Sequence, residues 1–161
     1  MHALKYAGWS GLAPFMGDAI AGALAPDAAP GSIVVAVPTT RRREHERGYN
    51  QAALLADRVA ARLGTPRIDA LLRPGEGASQ TDLAPDARRE NVREAFAGNP
   101  DVVDAISGRH VLLVDDVLTT GATAGAAAVV LSGAGARSVT LGAFARALPT
   151  AAPGDARARA A

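Results

Sequence analysis

The sequence predicts an α/β fold with a mainly parallel sheet flanked by helices. Two observations carry that prediction. Short continuous apolar runs at 33–37 and 111–114 read as strands buried on both faces, the pattern of a parallel sheet. Stretches with helical spacing of apolar residues lie before, between and after them, so strands alternate with helices.

The elements follow in order. Leu12, Phe15, Met16, Ala19, Ile20 and Ala23 fall near helical spacing and predict an amphipathic helix over 12–24, ending before Pro26. After a loop of Ala, Pro and Gly comes the strand at 33–37, and the charged stretch 38–47 reads as a loop. Leu55, Val59 and Leu63, four apart, predict a helix over 50–63 with Gly64 as its stop. A strand is expected at 68–72. The polar stretch 73–94 is long for a connection, and long loops in compact domains are usually functional or disordered. Segment 99–108 is weakly signalled, with Ile106 as its anchor. The clearest strand, 111–114, precedes a helix that runs through Leu131 and ends at Gly133 and Gly135, and 139–144 is the last strand. Residues 1–148 form one domain in this reading, and the 149–161 tail has no apolar period and is expected to be disordered.

Composition narrows the function classes. The chain has 161 residues, 48% apolar and only 4% aromatic, so its core relies on Val, Leu and Ile. Basic and acidic residues number 17 and 16, a net charge of +1, which excludes a globally polybasic coat for nucleic acid but not a local basic site. Sixteen of the basic residues are Arg, the better fork for phosphate oxygens, and Lys5 is the exception. With no cysteine there is no thiolate chemistry. His2, His45 and His110 are scattered without metal-ligand spacing, so no zinc is expected. No apolar stretch of about 18 residues appears, and the start lacks a secretory pattern, so no membrane insertion and a cytoplasmic location are expected.

One stretch carries chemistry: Val111, Leu112, Leu113, Val114, Asp115, Asp116, Val117, Leu118, Thr119, Thr120, Gly121, Ala122 and Thr123. A buried strand ends in two carboxylates and enters a hydroxyl-rich turn that opens a helix. Ligands in α/β sheets sit beyond the carboxyl ends of strands. The turn amides and the helix N-terminus suit an anion, and Gly121 lets a phosphate approach the backbone. Two acids beside an anion site are unfavourable unless they bind hydroxyls or a metal ion. A sugar phosphate with bound Mg²⁺ reconciles both halves. The plain alternative is a solvated acidic turn with threonines as helix caps.

These thirteen residues resemble the phosphoribosyl pyrophosphate (PRPP) loop of type I phosphoribosyltransferases. The stretch 38–51, which closes on Arg47, Gly48, Tyr49, Asn50 and Gln51, is similar to a segment of the ComF (competence) family. Gln80, Leu83, Arg88, Asn91 and Phe96 fall at the spacing of another of its signatures, and Lys5 with Tyr6 resembles a third. The likeness spans about residues 4–147. Members of that family often carry an N-terminal zinc module built on cysteines, absent here, so either a short member or a truncated product is implied and nothing of that module carries over.

The resemblance implies a type I phosphoribosyltransferase-like fold with a flexible hood loop over about 73–96. Asp115 and Asp116 would be the catalytic acids, binding ribose hydroxyls directly or through Mg²⁺. Val117, Leu118, Thr119, Thr120, Gly121, Ala122 and Thr123 would hold the 5′-phosphate, and Thr39, Thr40, Arg41 and Arg43 would face the pyrophosphate. Arg73, Gln80, Arg88 and Asn91 are the hood candidates for ligand contact. Arg88 and Arg89 are also placed to pair with nearby acids, and Tyr49 to pack in the core. Trp9 is read as packing the first helix. The implied reaction transfers phosphoribosyl from PRPP to an unidentified nitrogen acceptor with release of pyrophosphate.

A reading from another class stays open. The ComF likeness implies DNA uptake and natural transformation, with single-stranded DNA or competence proteins as partners and PRPP absent or regulatory. Arg41 to Arg47 could contact a DNA backbone, although an aromatic stacking platform is missing. A third reading, an inactive remnant, is opposed by the intact Asp115, Asp116 and Gly121. Related transferases commonly dimerise, so a homodimer is among the implied assemblies.

Overall fold

The structure, a computed structural model, describes residues 9–74 and 95–147, apart from the side chains of Trp9, Ser10 and Val103. Expectations that fall on Lys5, Tyr6, Gln80, Leu83, Arg88, Arg89, Asn91, the Trp9 side chain and the 149–161 tail lie outside the described residues.

Helix α1 spans Trp9–Leu24 and buries Met16, Ile20, Ala21 and Leu24. Its inward face differs from the one expected. Leu12 and Phe15 are 46% and 68% exposed, and Ala19 and Ala23 also face solvent. Gly17 and Ala21, the small residues, form the ridge that turns inward beside Met16, Ile20 and Leu24, so the ridge carrying Phe15 turns away. Phe15 instead meets the ring of Phe144 edge-on, with centroids 6.3 Å apart.

Strand β1 (Ile33–Ala36) is buried throughout. The charged stretch expected as a loop contains a helix, α2 (Arg41–Arg47). It has no apolar period, and its signals are local: Thr40 caps the Arg43 amide, Arg42 pairs with Glu46 one turn on, and Gly48 closes the helix at φ 80°. Helix α3 (Gln51–Leu63) matches its expectation, with Asn50 as cap and Gly64 as left-handed stop.

The strand expected at 68–72 shrinks to β2 (Leu71–Leu72), which pairs antiparallel with β3 (Ala97–Gly98) in a separate two-stranded sheet. Residues 66–68 run beside β1 through a single parallel bridge, Val34 with Arg67. Pro66, which has no amide hydrogen, and the exposed Asp69 bracket that contact and keep it short. Ile106 is fully buried at the end of a short 3₁₀ turn (Val103–Ile106), the anchor expected of it.

Strand β4 (His110–Leu118) continues past 114, so Asp115 and Asp116 lie within the strand rather than in the turn after it. Pairing with β5 (Ser138–Arg146) holds these acids in extended backbone against their weak strand preference. Helix α4 (Ala122–Gly133) connects the two strands. The main sheet has the order β1-β4-β5 and is wholly parallel. Helices α1 and α3 pack on each other and on the sheet. Consecutive residues 111–114 point to opposite faces and are all buried, so α4, which packs on β4 and β5, covers the other face. No helix among the described residues is long and apolar enough to cross a membrane.

Two glycines set the approach of α1. A Cβ on Gly142 would lie 2.7 Å from Leu24 Cδ1 and 2.8 Å from Ile20 Cγ2, and one on Gly17 would lie 2.6 Å from Arg58 Cβ. Gly142→Ala is therefore expected to lower stability by about 1–3 kcal/mol through overpacking. Gly22→Ala, on the exposed face of α1 with nothing within 4 Å, is expected to raise it by about 0.5–1 kcal/mol. Urea denaturation of the two variants checks both signs.

Candidate functional site

Topology places the site. The chain leaving β1 passes through α3 to Arg67 on one side of β1, and the chain leaving β4 passes through α4 to β5 on the other. The connections diverge at the carboxyl ends of two adjacent parallel strands, the switch point where open α/β sheets bind ligands. Ala36 is in register with Val114, so residues 38–40, the end of β4 from Asp115 and the 119–121 turn lie at the same edge of the sheet.

At this edge Asp115 and Asp116 are half-buried. The Asp116 amide donates to Asp115 Oδ1 at 2.9 Å, and the Val117 amide donates to Asp116 Oδ1 at 2.8 Å. These contacts occupy one oxygen of each carboxylate. Burial, with the Asp116 charge beside it, pushes the Asp115 carboxyl up to about 6, and the charge of Arg73 pulls it partly back.

Val117 and Leu118 are half-buried, and Thr119, Thr120, Ala122 and Thr123 are exposed around Gly121. Gly121 caps α4 at φ 79°, a left-handed conformation that a side chain would strain, and it has no side chain to fold over the helix start. Thr120 Oγ1 accepts from the Ala122 amide at 3.3 Å, which shapes the turn. The turn therefore offers backbone amides, hydroxyls and the positive end of a twelve-residue helix.

The opposite wall comes from the β1 loop. Thr39 and Thr40 are half-buried, and Arg41 and Arg43 are exposed on the first turn of α2. Arg42 is engaged with Glu46 at 2.8 Å. Asn50 ties this wall to the sheet: its side chain donates to Val37 O at 3.2 Å and accepts from the Ala52 amide at 3.1 Å. Tyr49 is half-buried beside it.

Of the four hood candidates only Arg73 is among the described residues. It follows β2 directly, with its guanidinium carbon 5.2 Å from the ring centroid of Phe96. Sequence reasoning placed Phe96 in a family signature but missed this contact. The signal was a lone aromatic at the far end of a long polar stretch, whose partner depends on strand register.

Among the described residues no group of three or more His, Cys, Asp or Glu gathers to hold a metal. Asp115 and Asp116 are a hard-oxygen pair, the donor set with which Mg²⁺ is held by one or two carboxylates and completed by waters and ligand phosphates. The residues present fit that mode of binding.

The raised carboxyl has a consequence for the ligand-free protein. A folded-state value near 6 lies above the ordinary 3.8, so the neutral acid's contribution is complete below about 3.8 and lost as pH rises through 6. Asp115→Asn is expected to stabilise the protein at pH 8 by up to about 3 kcal/mol, with the gain shrinking toward pH 4. Denaturant titrations of both proteins across that range measure it.

Comparison with known proteins adds ancestry and fold. No family model matches the chain. It is similar to DNA utilization protein YhgH of Escherichia coli O157:H7, 34% identical over 116 residues, which cover 71% of this chain and 49% of that protein. Competence protein F of Haemophilus influenzae is 32% identical over 115 residues, covering 71% of this chain and 50% of its own length. The chain thus spans about half the length of the relatives it matches. Among solved structures it is similar to a glutamine PRPP amidotransferase from B. subtilis, with TM-score 0.55 and 21% identity over 80% of this chain and 26% of the other. The protein TT1426 from Thermus thermophilus gives TM-score 0.52 and 23% identity, covering 87% of this chain and 86% of the other. The chain is a homologue of proteins named DNA utilization protein YhgH and Competence protein F, and its α/β fold is of the phosphoribosyltransferase type.

Proposed function

We propose that the chain is a competence-related protein that binds PRPP with Mg²⁺ in the cytoplasm and transfers phosphoribosyl to a nitrogen acceptor. The observation that carries this reading is the half-buried Asp115–Asp116 pair at the switch point, followed at once by the 119–123 turn. Acids and an anion cradle side by side suit a ligand that joins hydroxyls to a phosphate.

The residues take these roles. The amides and hydroxyls of 119–123 bind the 5′-phosphate, and the α4 dipole favours its charge. Asp115 and Asp116 bind the ribose hydroxyls or the cation. Thr39, Thr40, Arg41 and Arg43 face the pyrophosphate, whose oxygens the Arg forks match. Mg²⁺, when bound, neutralises charge on the leaving group. The C1–O bond to pyrophosphate breaks with its electron pair on oxygen, the acceptor nitrogen supplies the pair for the new C1–N bond, and its proton passes to solvent. Positive charge develops on the ribose as the old bond breaks, and carboxylates at Asp115 and Asp116 stabilise it.

Calorimetric titration of PRPP, with and without Mg²⁺, tests the reading on the wild type and on Asp115→Asn/Asp116→Asn. Losing charge-assisted hydrogen bonds of about 1.5–3 kcal/mol each predicts at least a tenfold loss of affinity. Mg²⁺-dependent binding that the double variant loses supports the site. No binding to either protein overturns it.

The exposed Arg41 and Arg43 beside the crevice favour a second reading, a surface for single-stranded DNA. Its expected signature is binding without Mg²⁺ that weakens steeply between about 50 and 200 mM salt. Fluorescence anisotropy with a labelled oligonucleotide tests it, and a salt-insensitive signal counts against it.

A further inference from the structure

Strands β2 and β3 pair Leu71 with Gly98 and Leu72 with Ala97, so the next facing positions are Arg73 and Phe96. Side chains directly opposite in an antiparallel ladder share a face. Phe96 is 5% exposed and belongs to the core, so packing holds its ring still. The Arg73 guanidinium lies over that ring at 5.2 Å from its centroid. The charge of Arg73 also lowers the Asp115 carboxyl, so the two groups interact electrostatically.

This arrangement differs from that of the other basic candidates. Arg41 and Arg43 are exposed on α2, and ordering such long side chains on a ligand costs rotamer freedom. A planar guanidinium already stacked on a fixed ring loses less. The 119–123 turn has its own donors for one phosphate. A second cation near the acids suits a second anionic group.

We propose that Phe96 is a positioning residue, its ring holding the Arg73 guanidinium at the rim of the Asp115–Asp116 crevice to meet the pyrophosphate end of the ligand. The inference rests on the PRPP reading and adds a device to it, a cation stacked in advance by the core. Phe96 itself touches no ligand. It acts through Arg73, so its effect on binding disappears when Arg73 is absent.

The test titrates inorganic pyrophosphate and PRPP, each with Mg²⁺, into the wild type, Phe96→Leu, Arg73→Lys, Arg73→Met and the Phe96→Leu/Arg73→Met double variant. Phe96→Leu is expected to weaken pyrophosphate binding about three- to tenfold. In the Arg73→Met background the same change is expected to have no further effect, a result that a merely structural role for Phe96 would not give. Arg73→Lys keeps the charge without the planar stack and is expected to weaken binding as much as Phe96→Leu. It also serves if Phe96→Leu does not fold. Wild-type affinity in folded Phe96→Leu or in Arg73→Lys overturns the inference, as does an undiminished Phe96→Leu effect without Arg73. A wild type that binds no PRPP fails the parent reading, and the inference falls with it.

Discussion

Strand β4 is paired on both sides only as far as Val114. Its register with β1 ends at Ala36 opposite Val114, followed by one last bond from the Val37 amide to the Val114 carbonyl at 2.9 Å. Its register with β5 runs on to Leu118 opposite Arg146. From Asp115 onward the strand therefore has a neighbour on one side alone. Sheet geometry thus opens a notch between β1 and β4, and the chain turns polar at the same residue. A buried polar side chain there would be costly under two-sided packing, whereas at the notch it can face a ligand. The turn at 119–121 and the cap at Gly121 follow where the β4–β5 pairing ends at Leu118, beyond the notch.

The notch needs a firm base, and the helix layer supplies one with few large side chains. Glycines let α1 approach its neighbours closely, Gly17 against Arg58 of α3 and Gly142 of β5 against Leu24 and Ile20. Asp18 and Arg58 form a bidentate pair at 2.8 Å across the α1–α3 contact. Both are more than a third exposed, and such pairs contribute little. Close packing of small residues, rather than that ion pair, fixes the helices. Val34, Val35 and residues 111–114 then fill the interior with branched aliphatic side chains, consistent with the scarcity of aromatics.

Strand β1 and the first half of β4 were legible because burial on both faces leaves a run of apolar residues that needs no partner to be recognised. Helix α3 was legible by its period and its Gly64 stop. Helix α2 was hidden because the charged stretch Arg41–Arg47 carries no apolar signal, and a cap, an ion pair and a closing glycine decide it locally. The extension of β4 through Asp115 and Asp116 was hidden for the opposite reason, since pairing with β5 overrides local preference. At the site, acids and threonines adjacent in the chain could be read from spacing. The stack of Arg73 on Phe96 could not, because it joins residues brought together only by the β2–β3 register.

The half-buried Asp115 departs electrostatically from an ordinary solvated acidic turn. A turn that merely caps a helix has no need of a carboxyl pushed up to about 6, and water would leave it near its ordinary value. Here burial and the charge of Asp116 disfavour the ionised form, and the ligand-free fold is less stable for it. Perturbed groups of this kind gather where chemistry requires them. The charge of Arg73 offsets part of the penalty. Protonation relieves the rest, as would any further positive charge brought close to the pair. A carboxyl held in that state gains more from a neighbouring positive charge than a solvated one does, which is the physical ground for reading the acid pair together with the 119–123 turn.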